Sequence, residues 1–120
     1  MTLFADILKV VFGILFLFAG VVHIMKPSLY KHFIPNFLPK TTVNYIIGMV
    51  EFFLGLGLFF NQTVRISALG IFFLMVLFLP IHIWDVTKER PAIGSKKMAI
   101  IRVPIQFILM LCAWIIYLKS

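Results

Sequence analysis

The stretch Gly48-Met49-Val50-Glu51-Phe52-Phe53-Leu54-Gly55-Leu56-Gly57-Leu58-Phe59-Phe60 is an apolar run with one carboxylate near its middle. A charged side chain at the centre of a bilayer costs about 2.5–3.5 kcal/mol on insertion scales, so such residues face a bundle interior and meet a partner there. Gly48 and Gly55 stand three before and four after Glu51, on the same helical face. A face of small residues lets a neighbouring helix come close. The rest of the chain is therefore expected to supply helices toward which Glu51 points. Its carboxylate should contact Arg102, Gln106 or a histidine rather than lipid.

Composition agrees with a membrane protein. The chain has 120 residues, of which 62% are hydrophobic and 12% charged, whereas a soluble domain is about 45–50% apolar and about 25% charged. One domain, 1–120, is the natural count at this length. Cys112 is the only cysteine, which removes any intrachain disulfide, Cys-x-x-Cys pair or cysteine-rich zinc site. The net charge of +7 does not indicate nucleic acid. The lysines and arginines cluster at the ends of apolar runs, as they do in membrane proteins. Met1 to Leu8 carries no basic cluster and no Ala-x-Ala site follows, so the first helix is expected to stay.

Four helices are expected, at about 4–25, 42–60, 64–84 and 97–118, in an all-α integral membrane four-helix bundle. Each apolar run is about 19–22 residues, or roughly 29–33 Å, which matches a hydrocarbon core of about 30 Å. The first helix ends at Lys26-Pro27 and places Gly13, Gly20 and His23 on one face. His23 is read either as a histidine hydrogen-bonded at headgroup level or as a functional group. Residues 27–41 hold three prolines, which forbid a long helix, among Leu29, Tyr30, Phe33, Ile34, Phe37 and Leu38. Aromatic and basic residues mixed in this way suit the membrane interface. A hooked or short-helical segment on the bilayer is expected, folding over the bundle mouth or serving only as a connector. Thr41 or Thr42 is the N-cap candidate of the second helix. Pro80 should kink the third and free carbonyls that neighbours must satisfy. His82 and Asp85 follow it on one face, Asp85 to Lys97 forms the hydrophilic connection, and Arg102 and Gln106 lie one turn apart on the fourth helix.

Lys26, Lys31 and Lys40 belong to the first connection, and Lys88, Arg90, Lys96 and Lys97 to the third. Lys9, Arg65 and Lys119 are left on the opposite face. The positive-inside rule then predicts a multi-pass protein of the cell membrane with both large connections in the cytoplasm and both termini outside. An internal echo supports the same layout. Val22-His23-Ile24-Met25 matches Ile81-His82-Ile83-Trp84, and Val50-Glu51-Phe52-Phe53-Leu54 matches Ile105-Gln106-Phe107-Ile108-Leu109. Two helical hairpins related as parallel repeats are expected. Glu51 and Gln106 then lie roughly 13 Å deep, the polar groups share one leaflet, and the other leaflet is closed by apolar packing.

Gly20-Val-Val-His23-x-x-x-Pro27, Phe33-Ile-Pro35-x-x-x-Pro39, Gly48-x-x-Glu51, Thr63-x-Arg65, Phe78-Leu-Pro80 and Arg102-Val-Pro104-x-Gln106 together resemble the DoxX-like membrane proteins, over nearly the whole chain. One departure is His82, where those proteins often carry Asn. The resemblance implies a four-helix membrane bundle. It is linked in some relatives to quinone-coupled sulfur oxidation or thiol-oxidative defence, and more distantly to the receptor-assembly chaperone NACHO.

The first functional expectation is a recess that binds a small lipophilic or amphipathic molecule, a quinone or a lipid. Glu51, Arg102, Gln106, His23, His82, Asp85 and Tyr30 are the candidate ligand-binding residues. The alternative is a scaffold or chaperone for another membrane protein, in which Glu51 and Arg102 form a structural ion pair and exposed Gly and Phe faces hold the client. An enzyme, at most a quinone-linked oxidoreductase component, ranks third. No His-x-x-x-His spacing occurs and no nucleophile stands beside a base, so neither a metal nor a catalytic residue is assigned. The bilayer is the expected partner, and nucleic acid is not.

Overall fold

The computed structural model describes residues 3–29, 33–34, 36–88 and 93–120. Four helices, α1 (Leu3–Met25), α2 (Lys40–Gly57), α3 (Val64–Val86) and α4 (Lys96–Lys119), make an all-α bundle, with one short 3-10 turn at Pro27–Leu29. α1 packs chiefly on α2, and α3 chiefly on α4; narrower contacts join α2 to α3 and α1 to α4. The result is a ring of four antiparallel neighbours measuring 44 × 27 × 18 Å.

Three helices, α1, α3 and α4, are long and apolar enough to cross a membrane. α2 is not one of them. It has 18 residues, among them Lys40, Asn44 and Glu51. Large apolar side chains face outward on all four helices, for example Phe18 at 68% exposure, Phe53 at 59%, Ile66 at 70% and Phe107 at 53%. An apolar surface of that extent fits a lipid environment.

Helix ends follow local chemistry. α2 starts two residues before the expected Thr42, with Pro39 at its N-cap position and no side-chain cap. Thr41 and Thr42 therefore sit inside its first turn. It also ends at Gly57 rather than Phe60, because Leu58, Phe59 and Phe60 bond back three residues to Gly55, Leu56 and Gly57. Such bonds tighten a helix end into 3-10 geometry. Thr63 Oγ1 then donates to the Gly57 carbonyl at 2.7 Å and closes the turn. α3 runs on through Asp85 to Val86, so Asp85 belongs to a helix rather than to the connection. α4 begins with a side-chain cap, Ser95 Oγ accepting from the Met98 N–H at 3.2 Å.

The apolar core lies at the end opposite the polar groups: Phe12, Phe16, Leu58, Val64, Ala68, Ile71, Leu74, Met75, Ala113 and Ile116. Aromatic–cation clusters mark both ends of α3. At its start the Arg65 guanidinium lies 4.4 Å from the Tyr117 ring centre, and Tyr117 stacks on Trp114. At its far end the Lys88 ammonium lies 3.9 Å from the Trp84 ring.

Candidate functional site

Alternation of helix direction decides where the polar side chains gather. The C-terminal parts of α1 and α3 and the N-terminal parts of α2 and α4 share one end of the bundle. That end holds His23, Asn44, Glu51, His82, Asp85, Arg102 and Gln106. Tyr30 lies outside the described residues.

Within this end the groups form two sets, one in each hairpin. In the α1–α2 hairpin, glycines set the geometry. A Cβ on Gly20 would stand 2.5 Å from the Gly48 carbonyl oxygen, and one on Gly55 would stand 2.9 Å from the Gly13 carbonyl. The two backbones thus touch, as small-residue faces allow. At that separation short side chains reach across. Asn44 Nδ2 donates to the His23 carbonyl, which turns the Asn44 oxygen toward the ring. His23 Nδ1 lies 2.6 Å from that oxygen and must be its donor, because an amide oxygen can only accept. His23 Nε2 meets Glu51 Oε1 at 3.2 Å. His23, Asn44 and Glu51 are all buried, at 8%, 2% and 5% exposure. Glu51 therefore faces a histidine, one of its expected partners, and that histidine belongs to its own hairpin.

The α3–α4 set is built differently. Asp85, at 1% exposure, pairs with Lys88 at 3.4 Å and accepts from the Ile93 backbone N–H. It ties down the start and end of the connection between α3 and α4. His82 stands one turn before Asp85 on α3. The Phe33 ring meets His82 edge-on at 5.7 Å. Gln106, with 0% exposure, donates through Nε2 to the Met75 carbonyl at 2.7 Å. That carbonyl precedes Val76, whose own carbonyl Pro80 deprives of its helical donor.

Among the described residues, two buried polar atoms here have no hydrogen-bond partner: Arg102 Nη1 and Gln106 Oε1. Arg102 and Glu51 form no ion pair, contrary to the structural pairing expected from the sequence. The reason is spatial: the glycine contact commits Glu51 to His23. The glycines are committed too. Gly13, Gly20, Gly48 and Gly55 are buried between α1 and α2, so they form no exposed face for a client.

Asn44 is the site residue the sequence reading missed. It stands seven before Glu51, with Gly48 between them on the same face, and that spacing was the available signal. Among the described residues no three His, Cys, Asp or Glu side chains gather as a metal set. An open apolar groove of about 620 Å³, walled by Asn36, Phe37, Pro80, Ile81 and Trp84, borders the turn of α3 that carries His82. A second, of about 440 Å³, runs between Ile83, Val86 and Thr87 of α3 and its C-cap and Ile100, Val103 and Pro104 of α4.

Compared with known families, residues 12–117 match a domain of unknown function, DUF8561. No curated protein and no solved structure matches the chain.

Proposed function

From the premise that this chain belongs to the DUF8561 family, we propose that it is a multi-pass membrane protein that binds a small amphipathic molecule at the polar end of its bundle. The observation that carries this reading is the pair of buried, unpartnered atoms, Arg102 Nη1 and Gln106 Oε1. An unmet buried polar group costs about 1–3 kcal/mol, and more when charged. A protein that merely needed a stable bundle would gain by replacing both residues with apolar ones. A ligand head that supplies the missing partners removes that cost. The two apolar grooves give its chain a place to lie.

In this reading α2 is the fourth span. Its 18 residues reach about 27 Å, near the hydrocarbon thickness of about 30 Å. Asn44 and Glu51 turn into the hairpin and away from lipid. The two lysine-bearing connections lie in the cytoplasm and both termini outside. The motif order that resembles DoxX-like proteins is in keeping with a lipophilic ligand, quinone or lipid, in the cell membrane.

Native mass spectrometry of the protein extracted in mild detergent tests the proposal. The expected result is a bound amphiphile that is lost from Arg102→Met while the helical content stays unchanged. A spectrum of bare protein after gentle extraction, with added amphiphiles failing to bind, would overturn it.

A further inference from the structure

Arg102 and Gln106 share the inner face of α4, four residues apart, with Gln106 the deeper of the two. Arg102 Nη1 is a cationic donor without an acceptor, and Gln106 Oε1 is a neutral acceptor without a donor. The orientation of the amide is fixed. Its Nε2 donates to the Met75 carbonyl at 2.7 Å, and turning it over would set oxygen against oxygen. Going inward from the bundle end, the site therefore offers a positive donor and then, about 6 Å further along the helix axis, an acceptor. The ligand must present the reverse order: an anionic acceptor first, then an O–H or N–H on the side of its hydrocarbon chain.

That order discriminates among amphiphiles. An oxidised quinone offers carbonyl acceptors at both positions and leaves Gln106 Oε1 unmet. A diacyl phospholipid places ester carbonyls, again acceptors, between its phosphate and its chains. A neutral monoacylglycerol has the donor but lacks the charge that answers Arg102. A lipid with a phosphate followed by a free hydroxyl or an amide hydrogen satisfies both atoms at once. Charge-assisted bonds to a guanidinium are about twice as strong as neutral ones, so the phosphate gives affinity and the donor gives selection.

We propose that the α3–α4 hairpin binds an anionic lipid that carries a free hydroxyl or amide hydrogen between its phosphate and its chain, with the phosphate on Arg102 and the donor on Gln106. The proposal rests on the amphiphile-binding reading above and narrows it. Two lipid sources share this chemistry: monoacyl glycerol phosphates, through their free secondary hydroxyl, and ceramide phosphates, through their hydroxyl and amide.

The test is competition for the purified full-length chain in native mass spectrometry. The probes are monooleoyl glycerol phosphate, oleoyl propanediol phosphate (the same lipid without its free hydroxyl), dioleoyl phosphatidic acid, ceramide phosphate and neutral monooleoylglycerol. One neutral hydrogen bond corresponds to about tenfold in affinity. Monooleoyl glycerol phosphate or ceramide phosphate should therefore exceed the hydroxyl-free lipid and the diacyl acid by about that factor. The tighter of the two names the source. Gln106→Met should erase the hydroxyl preference and keep the phosphate preference, and Arg102→Met should do the opposite. The comparison of probes on the wild-type chain decides the matter even if a variant fails to fold. Equal binding of the hydroxyl-free lipid, the diacyl acid or the neutral lipid overturns this inference and leaves general amphiphile binding standing. Failure of every probe, and of a quinone added as control, overturns both.

Discussion

Where α1 meets α2, glycine lies opposite glycine. The internal echo pairs Gly13, Gly20, Gly48 and Gly55 with Phe72, Leu79, Val103 and Met110 of the second hairpin. Without side chains in the way, the first two backbones touch, and a His, an Asn and a Glu complete one another's hydrogen bonds. In the second hairpin the corresponding positions carry side chains, Gln106 Nε2 donates to the Met75 carbonyl and sulfur, and Arg102 Nη1 has no hydrogen-bond partner among the described residues. Glycine on both helices lets the polar groups of the first hairpin close on one another, and the second hairpin has side chains at the corresponding positions. The Glu51 and Gln106 positions correspond, yet one is closed and the other open.

The comparison breaks first at the glycines. Gly20→Val would push a side chain into the Gly48 carbonyl and Phe52. It should lower stability by about 3 kcal/mol, measured as thermal unfolding in detergent, whereas Val103→Ile at a matching position should change it by less than about 1 kcal/mol. Equal tolerance at the two sites would mean that close backbone approach is not what distinguishes the hairpins.

The next effect concerns the clamp. Glu51→Leu strands His23 Nε2 in the interior and should cost about 2 kcal/mol. Glu51→Gln should recover most of that, since an amide N–H can donate to the ring. A loss just as large for Glu51→Gln would show that the contact needs a full ion pair.

The smallest effect is the sharpest. Arg102→Met removes a buried donor that has no partner, so the ligand-free protein should keep its stability to within about 1 kcal/mol or gain. A drop as deep as that of Glu51→Leu would make Arg102 a structural residue and remove the distinction between the hairpins.

Much of this layout was written in the residues, and some was not. Apolar runs of membrane length and prolines located four helices to within a few residues at most ends. Their alternation put the chemistry-bearing side chains at one end. That Glu51 meets a polar partner, with Arg102, Gln106 and a histidine as the candidates, also followed from cost alone, because a charge in lipid demands a partner. Periodicity gives a residue's face, but not which of two flanking helices lies nearer. That choice rests on how far apart the backbones sit. It is why Arg102, Gln106 and a histidine all stood as candidate partners of Glu51, and why Asn44 went unnoticed on the same face. The extension of α3 through Asp85 was hidden for another reason. Asp85 is hydrophilic by type, yet its contacts to Lys88 and the Ile93 N–H let it remain buried in the helix.

Arg65 with Tyr117, and Lys88 with Trp84, stand near opposite tips of the same helix. From Arg65 to Trp84 the rise is about 29 Å, close to the thickness of a typical hydrocarbon layer of about 30 Å. The two clusters work as calipers: a thinner membrane makes the protein lean, and a thicker one drags an aromatic girdle below the headgroups or stretches its surroundings.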